Sequence, residues 1–504
     1  MERVERRERV EAPEPGRPED AAARGLGRRA LLRAAGLGAG VLAAGAAGTS
    51  GAAEAAGAST ATGATGAARA ARGTPATAAG PGHATGAGAR AAGGPDLPLV
   101  DGPDFPIGAF WPPHPFASTL ERYQELADAG FTFFITGDYL SDARSAAYAL
   151  GLADQVGLKA LVAADPRMLA LAHYLTVTDD RSVASSITTA DATAWVRAAL
   201  DGYTAHPSFA GFNLYDEPAP ARFANVGALT ALMRSAAPAL LPYANINRGN
   251  GDTYRTFVRN YLDAAQPSMV SFDRYPFLTT GLDSAYFETW AIVRAAALQA
   301  GIPAWTYIQS TGFSNHPVPT ASQLAWQVNT SLAYGCKGIQ YFTYWTPDPA
   351  RGEGYTEALI TTDGRRTPLY DAATVLNTGW LQPVGRQLKP LVSESVQHAN
   401  DAPLPVGTTA FAPGAYLSAV AGDAAIVGLF SDPRDSEVRY LLVTNRDPDR
   451  SATVRVTPDA GNVAAVAGFD PGKGTYGALP AGQVTVRLAA GGAALYRLTL
   501  TSAV

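Results

Sequence analysis

Asp216 and Glu217 are adjacent carboxylates at the end of an apolar run, FAGFNLYDEP, over residues 209–218. The run lies between His206-Pro207 and Pro218-Ala219-Pro220, as expected of a short buried strand that opens into a loop. A carboxyl group at such a strand end, walled by aromatics such as Tyr215, is partly desolvated, and its pKa rises towards that of a usable general acid. A plainer reading competes with this one: Asp caps helices and acids suit a first turn, so Asp-Glu-Pro would simply start a helix.

Other strand-like runs end in comparable groups. They are Phe110 and Trp111; Asp138 and Tyr139; Asp165; Asn245, Asn247 and Arg248; Asp273, Arg274 and Tyr275; Tyr307 and Gln309; and Tyr344 and Trp345. Aromatic faces stack on sugar C–H surfaces, while carboxylates and amides bind hydroxyls, so this mixture suits a carbohydrate. Each residue also has a structural explanation: Asp165 as a turn residue before Pro166, Asp138 as a helix cap, Arg274 as a partner for Asp273.

Their positioning requires a repeated unit. Apolar, β-branched or aromatic runs at 106–111, 131–139, 158–165, 209–217, 241–248, 269–277, 302–310 and 338–345 read as strands. Amphipathic stretches such as 118–129, 143–156, 193–204 and 286–300 read as helices. Gly130, Gly157, Gly301 and Gly335 close several of these units before the next strand, where a left-handed cap is expected. Eight such units, with a last helical segment at 370–391, predict a (β/α)₈ TIM barrel, in which the C-terminal strand ends share one mouth. A doubly wound sheet would call for a Gly-rich first turn, and none is present. After residue 400, alternating runs at 424–430, 438–444, 452–457, 483–488 and 494–500 predict a C-terminal antiparallel β-sandwich.

The first hundred residues read differently. Arg28-Arg29 followed by leucines and a Gly/Ala-rich apolar stretch resembles a twin-arginine export signal, taken as residues 1–47, and implies secretion. Residues 48–97 are almost wholly Ala, Gly, Thr and Pro and read as a linker unable to bury enough surface to fold. The barrel is then expected over 98–395 and the sandwich over 400–504. Nine Arg against seven acids in residues 1–33, and three Arg against two acids in 34–97, leave −8 to residues 98–504 of the formal net charge of −5. That balance excludes the basic footprint of a nucleic-acid binder. The single cysteine, Cys336, lies in an apolar context and reads as core. The six histidines (83, 114, 173, 206, 316, 398) form no pair at metal-ligand spacing, so neither metal nor cofactor is expected. The loop at 348–357 carries Glu353 and Glu357, which either reach the mouth or belong to a solvated surface.

Over residues 104–391 the chain resembles the clan A glycoside hydrolases, through Asp216-Glu217-Pro218 after the fourth strand, Phe272-Asp273-Arg274-Tyr275-Pro276 at the sixth and Tyr344-Trp345 at the eighth. The run from Leu332 to Trp345 is similar to that of β-galactosidase-like members. The resemblance implies an acid/base role for Glu217 and a carbohydrate substrate. Asp216 stands where that family usually has Asn, and Gln309 stands where its strand-7 nucleophile would be. An amide cannot form the glycosyl-enzyme ester. A second carboxylate (Asp273 first, then Asp138, Asp165, Glu353 or Glu357), a nucleophile on the substrate, or binding without cleavage would each resolve this. The expected substrate contacts are Asp216, Gln309, Trp345, Tyr275, Trp111, Asp138, Tyr307 and Asn247. The reading that follows is a secreted glycoside hydrolase; a non-catalytic glycan-binding barrel or a structural wall-associated protein are its rivals.

Overall fold

The computed structural model describes residues 96–501 except 138, 139, 141, 178–185 and 481. The export signal and nearly all of the linker lie outside the described residues. Eight parallel strands close into a barrel: β1 (Ile107–Phe110), β2 (Phe133–Ile135), β3 (Lys159–Val162), β4 (Phe209–Asp216), β5 (Leu241–Ile246), β6 (Val270–Asp273), β7 (Ala304–Gln309) and β8 (Gly338–Phe342). Each of the eight barrel strands anticipated from the sequence is present, within its expected span. Closure comes from β1 pairing with β8 through Gly108 and Gln340, and with β2 through Gly108 and Phe133.

The surrounding helices are α1 (Leu120–Asp128), α2 (Ala143–Val156), α3 (Pro166–Tyr174), α4 (Thr189–Leu200), α5 (Phe223–Ala236), α6 (Gly251–Ala265), α7 (Tyr286–Ala300), α8 (Ala321–Ala333), α9 (Pro368–Leu376) and α10 (Gln382–Leu388). Their ends follow local chemistry. Asp142 and Asp165 cap α2 and α3 with side-chain oxygens, Thr320 closes a capping box with Gln323, and Gly157 and Gly301 end α2 and α7 in left-handed conformations. Two helices, α3 and α4, fill the interval between β3 and β4, where the sequence pattern indicated one.

The barrel interior is layered. Phe133 and Trp305 meet across the lower part at a ring-centroid distance of 5.6 Å. A Cβ on Gly108 would come within 2.4 Å of the Phe133 ring, and one on Gly338 within 2.6 Å of Trp305. Glycine at these two positions is therefore what lets two large rings fill the bottom of the barrel. Above them the interior turns polar.

The C-terminal residues form two antiparallel sheets. Strands β9 (Val392–Ala399), β11 (Ala425–Asp432), β12 (Asp435–Asn445), β17 (Ala493–Leu500), β14 (Val463–Asp470) and β15 (Thr475–Ala478) make a six-stranded sheet in that order. Strands β10 (Leu417–Gly422), β13 (Ala452–Pro458) and β16 (Val484–Leu488) make the second. The sandwich's first strand thus starts at Val392. Helix α8 is the joint: Trp326 donates to Arg446 O (2.9 Å) and Asn329 to Gly491 O (2.9 Å), while His398 of β9 meets Tyr334 Oη at 3.0 Å. Packed against both the barrel and the sandwich, α8 buries consecutive residues from Trp326 to Ala333, the polar Gln327, Asn329, Thr330 and Ser331 among them.

Gly338→Ala is expected to destabilise the fold by about 1–3 kcal/mol through overpacking against Trp305. Urea unfolding followed by tryptophan fluorescence measures it, and an unchanged midpoint would contradict the tight lower layer.

Candidate active site

The polar layer of the barrel is a chain of hydrogen bonds that climbs to the C-terminal mouth. Gln340 Nε2 on β8 donates to Tyr243 Oη on β5 (2.6 Å), and Tyr243 Oη meets Ser271 Oγ on β6 (2.8 Å). Ser271 Oγ donates to Asn245 Oδ1 (2.9 Å), and Asn245 Nδ2 donates to Asp273 Oδ1 (3.0 Å). The period-two alternation of strands puts Tyr243 and Asn245, and Ser271 and Asp273, on the inner face of their strands. The chain ends at a hydrogen bond between the Asp273 and Glu217 carboxyls.

Glu217 reaches that position through its backbone. It follows β4 with φ of 50°, in the left-handed region that a non-glycine residue adopts at a cost, while its N–H donates to Asn245 O (2.9 Å). Pro218 disfavours the right-handed alternative for the residue before it. Trp111 after β1 and Ala164 after β3 share this conformation, with φ of 56° and 59°. Three of the described non-glycine residues with positive φ therefore lie at C-terminal strand ends, where strained backbone commonly accompanies function.

Both carboxyls are held protonated more firmly than usual. Burial first, then the Asp273 and Asp216 charges, push the Glu217 pKa far above the ordinary carboxylate range, and Arg248 pulls it down. Burial also raises Asp273, against Arg248 and the hydrogen bonds from Asn245 and Glu217. Two acids in contact cannot both ionise cheaply, so one proton is retained between them. Asp273 thus stands as the acceptor of the Glu217 hydrogen bond, which raises Glu217 and lowers Asp273.

The remaining expected site residues fall into three groups. Tyr275, Tyr307 and Trp111 join the pair in one aromatic wall: Tyr275 stacks on Phe342 (5.3 Å), Phe342 lies 6.0 Å from Trp111, and Phe110 meets Tyr307 edge-on (5.7 Å). Asp216 is half-buried beside them, and its charge is felt by Glu217, Tyr275 and Tyr307. Asn247 is exposed at the rim and its carbonyl accepts from Tyr254 Oη (2.7 Å).

Gln309 and Trp345 are turned to other tasks. Gln309 is 0% exposed; its Nε2 donates to Pro317 O (2.5 Å), and its backbone N–H and C=O are both held by the Gln327 side chain on α8. Its Oε1 is buried without a partner. Trp345 is also 0% exposed: His114 stacks on the ring at 5.6 Å, and the Arg122 guanidinium sits 5.8 Å from it. Asp138 lies outside the described residues. Asp165 is committed to capping α3 and to accepting from Tyr203 Oη (2.7 Å). Glu353 pairs with Arg351 at 3.5 Å, and Arg351 itself packs 4.5 Å from the Trp111 ring. The loop at 348–357 therefore covers Trp111 from above, helped by the edge-on contact of Tyr355 (5.8 Å).

Tyr243, Ser271 and Gln340 carry the site from below and were not singled out in the sequence. Alternation within the strands was the available signal, since all three sit on inward positions. Among the described residues no cluster of three or more His, Cys, Asp or Glu has metal-binding geometry, and no helix is long and apolar enough to cross a membrane.

No protein-family model matches the chain, and no curated protein matches it in sequence. Similar solved structures include the β-galactosidase of the psychrophilic Marinomonas ef1, 11% identical over 57% of this chain with a TM-score of 0.42. The chain spans 62% of the length of that protein. The α-galactosidase I of Mortierella vinacea is 10% identical, covering 81% of this chain and 100% of its own, with a TM-score of 0.45. The α-amylase of Geobacillus thermoleovorans, solved with acarbose, is 8% identical over 79% of this chain and 98% of its own, with a TM-score of 0.45. At such identity, the chemistry is read from the side chains of this chain alone.

Because the folded state raises the Glu217 pKa, the stabilisation of its protonated form is fully present below the ordinary carboxylate pKa of 4.5 and is lost as pH rises. Glu217→Gln is expected to melt at the same temperature as wild type at acid pH and higher at about pH 8, by about 2–4 °C per kcal/mol recovered. Calorimetric scans at the two pH values check this, and a variant less stable at alkaline pH would contradict it.

Proposed function

We propose that this chain is a secreted glycoside hydrolase whose general acid is Glu217. The observation that carries the reading is the half-buried Glu217 carboxyl at the barrel mouth, set against Asp273 and pushed towards its protonated form by desolvation and by the Asp273 and Asp216 charges. A group that keeps its proton at neutral pH is available to donate it to a glycosidic oxygen as the C–O bond breaks. Arg248 supports the step: once Glu217 has given up its proton, two adjacent carboxylates remain, and a nearby cation lowers the cost of that state. Tyr275 and Tyr307 would present rings and hydroxyls to the sugar, with Asp216 and Asn247 binding hydroxyls at the rim, whereas Trp111 lies under Arg351 and Tyr355 and is withdrawn from that role.

The nucleophile in this scheme is a group on the substrate. Gln309 cannot form an ester, and Asp273 is engaged with Glu217. Once that group has displaced the leaving oxygen, water enters on the vacated face, attacks the anomeric carbon and gives its proton to Glu217, which restores the acid for the next cycle. Asp273 in this role is the proton partner that keeps Glu217 neutral.

A glycan-binding barrel without turnover is the second reading. It is favoured by the Gln309 side chain, buried and tied to Pro317 O, and by the 348–357 loop that covers Trp111.

Glu217→Gln is expected to lower kcat by roughly 10²–10⁴ on any glycan that the wild type cleaves. A loss of less than about tenfold would remove Glu217 from the acid role. Saturable binding with no reducing ends released across a broad polysaccharide panel would establish the second reading. Arg248→Gln is expected to move the alkaline limb of the kcat profile upward, because Arg248 holds the Glu217 pKa down. A downward or absent shift would exclude that electrostatic role.

A further inference from the structure

The N-terminal face of the barrel, opposite the carboxyl pair, holds a cavity of about 610 Å³. Its walls come from the end of α7, the segments leading into β7 and β8, the end of α10, the first residues of β9, and the turn between β11 and β12. Five basic residues line it (Arg294, Lys337, Arg386, Lys389 and Arg434), against the single acid Asp101. Arg386 is paired with Asp104 at 2.7 Å, and Arg434 with Asp432 at 2.8 Å.

The other three cations have only uncharged hydrogen-bond partners. Arg294 donates from Nε to Ser393 Oγ (2.9 Å) and from Nη2 to Ser393 O (2.8 Å). Lys337 Nζ donates to Leu388 O (2.5 Å) and Leu391 O (2.7 Å). Lys389 Nζ donates to Gly102 O and to Asp104 O (2.7 Å). Each ammonium keeps a third N–H, and the Arg294 guanidinium keeps Nη1, for another acceptor. Carbonyl oxygens satisfy geometry here without cancelling charge; only Lys389 has acids (Asp101, Asp104 and Asp96) near enough to offset its burial, and half-buried cations with so little counter-charge are costly.

We propose that this cavity binds a small oxyanion or polycarboxylate, held by Arg294, Lys337 and Lys389 between the barrel and the sandwich. Such an anion contacts α7, β8 and α10 on the barrel side and lies against β9 on the sandwich side, so it braces the junction when bound. The site is independent of the carbohydrate chemistry at the opposite mouth. It also carries a proton linkage. Burial lowers Lys337 to about 7 and Lys389 to about 8, with Asp101, Asp104 and Asp96 raising the latter. Tyr334 in the same wall is pushed far above its usual range and stays neutral. A bound anion favours the ammonium forms, so binding above neutral pH takes up protons.

Calorimetric titration of the wild-type chain with citrate, sulfate and inorganic phosphate, at low ionic strength and about pH 8 in two buffers of different ionisation enthalpy, tests this. Saturable binding of at least one of them with net proton uptake, and a raised melting temperature, is the expected result. Arg294→Gln and Lys389→Gln are each expected to weaken that anion about tenfold or more. Absence of saturable binding by all three anions, binding without proton uptake, or affinity unchanged in folded variants would each overturn the site. Where a variant fails to fold, the wild-type proton uptake alone decides.

Discussion

Two carboxyl groups, Glu217 and Asp273, lie against each other at the top of a barrel, and desolvation together with their mutual charge makes it expensive for both to ionise. Such a pair persists only where the rest of the fold over-determines it. Asp273 is fixed from beneath by the polar chain of Gln340, Tyr243, Ser271 and Asn245, which spans three strands. Glu217 is fixed by a left-handed backbone turn and by the bond from its N–H to Asn245 O. Asn245 thus serves both partners, with its side chain on one and its carbonyl on the other. Barrel closure is what brings β4, β5, β6 and β8 into register for this to happen.

The same barrel shows how the mouth is braced from outside. Gln327 on α8 holds both backbone polar groups of Gln309, and α8 is in turn held by the sandwich through Trp326, Asn329 and Tyr334. The sandwich therefore acts on the end of β7 through one helix. Trp111 is covered by Arg351 and Tyr355, which narrows the mouth on the β1 and β8 side. Charge is distributed unevenly between the two barrel faces. Three acids, Asp216, Glu217 and Asp273, gather at the mouth, whereas five cations and one acid line the cavity at the opposite end.

Period-two and period-3.6 patterning made all eight barrel strands and most helices legible, because each must bury one face and its residues alternate accordingly. Glycine after a helix marked several boundaries for a local reason, the left-handed cap. The 166–174 helix went unseen because its boundary signal, Asp165-Pro166, also reads as a turn. Within the sandwich, Val392–Ala399, Leu417–Gly422, Val463–Asp470 and Thr475–Ala478 escaped notice, since their partly exposed residues give weak alternation. Glu217, Asp216, Asp273, Tyr275 and Tyr307 were legible as strand-end residues, and the structure gathers them. Trp345 belongs to the same pattern, yet His114 and Arg122 cover its ring.

The sequence by itself determined the architecture and the address of the carboxyl groups, since both follow from local periodicity and from position along a strand. Tertiary structure alone decided that Glu217 and Asp273 touch, that Gln309 is spent on Pro317, and that Trp345 is enclosed. The physical reason is that strand periodicity says which way a side chain points, while its partners, and hence its pKa and its availability, depend on neighbours brought from distant parts of the chain.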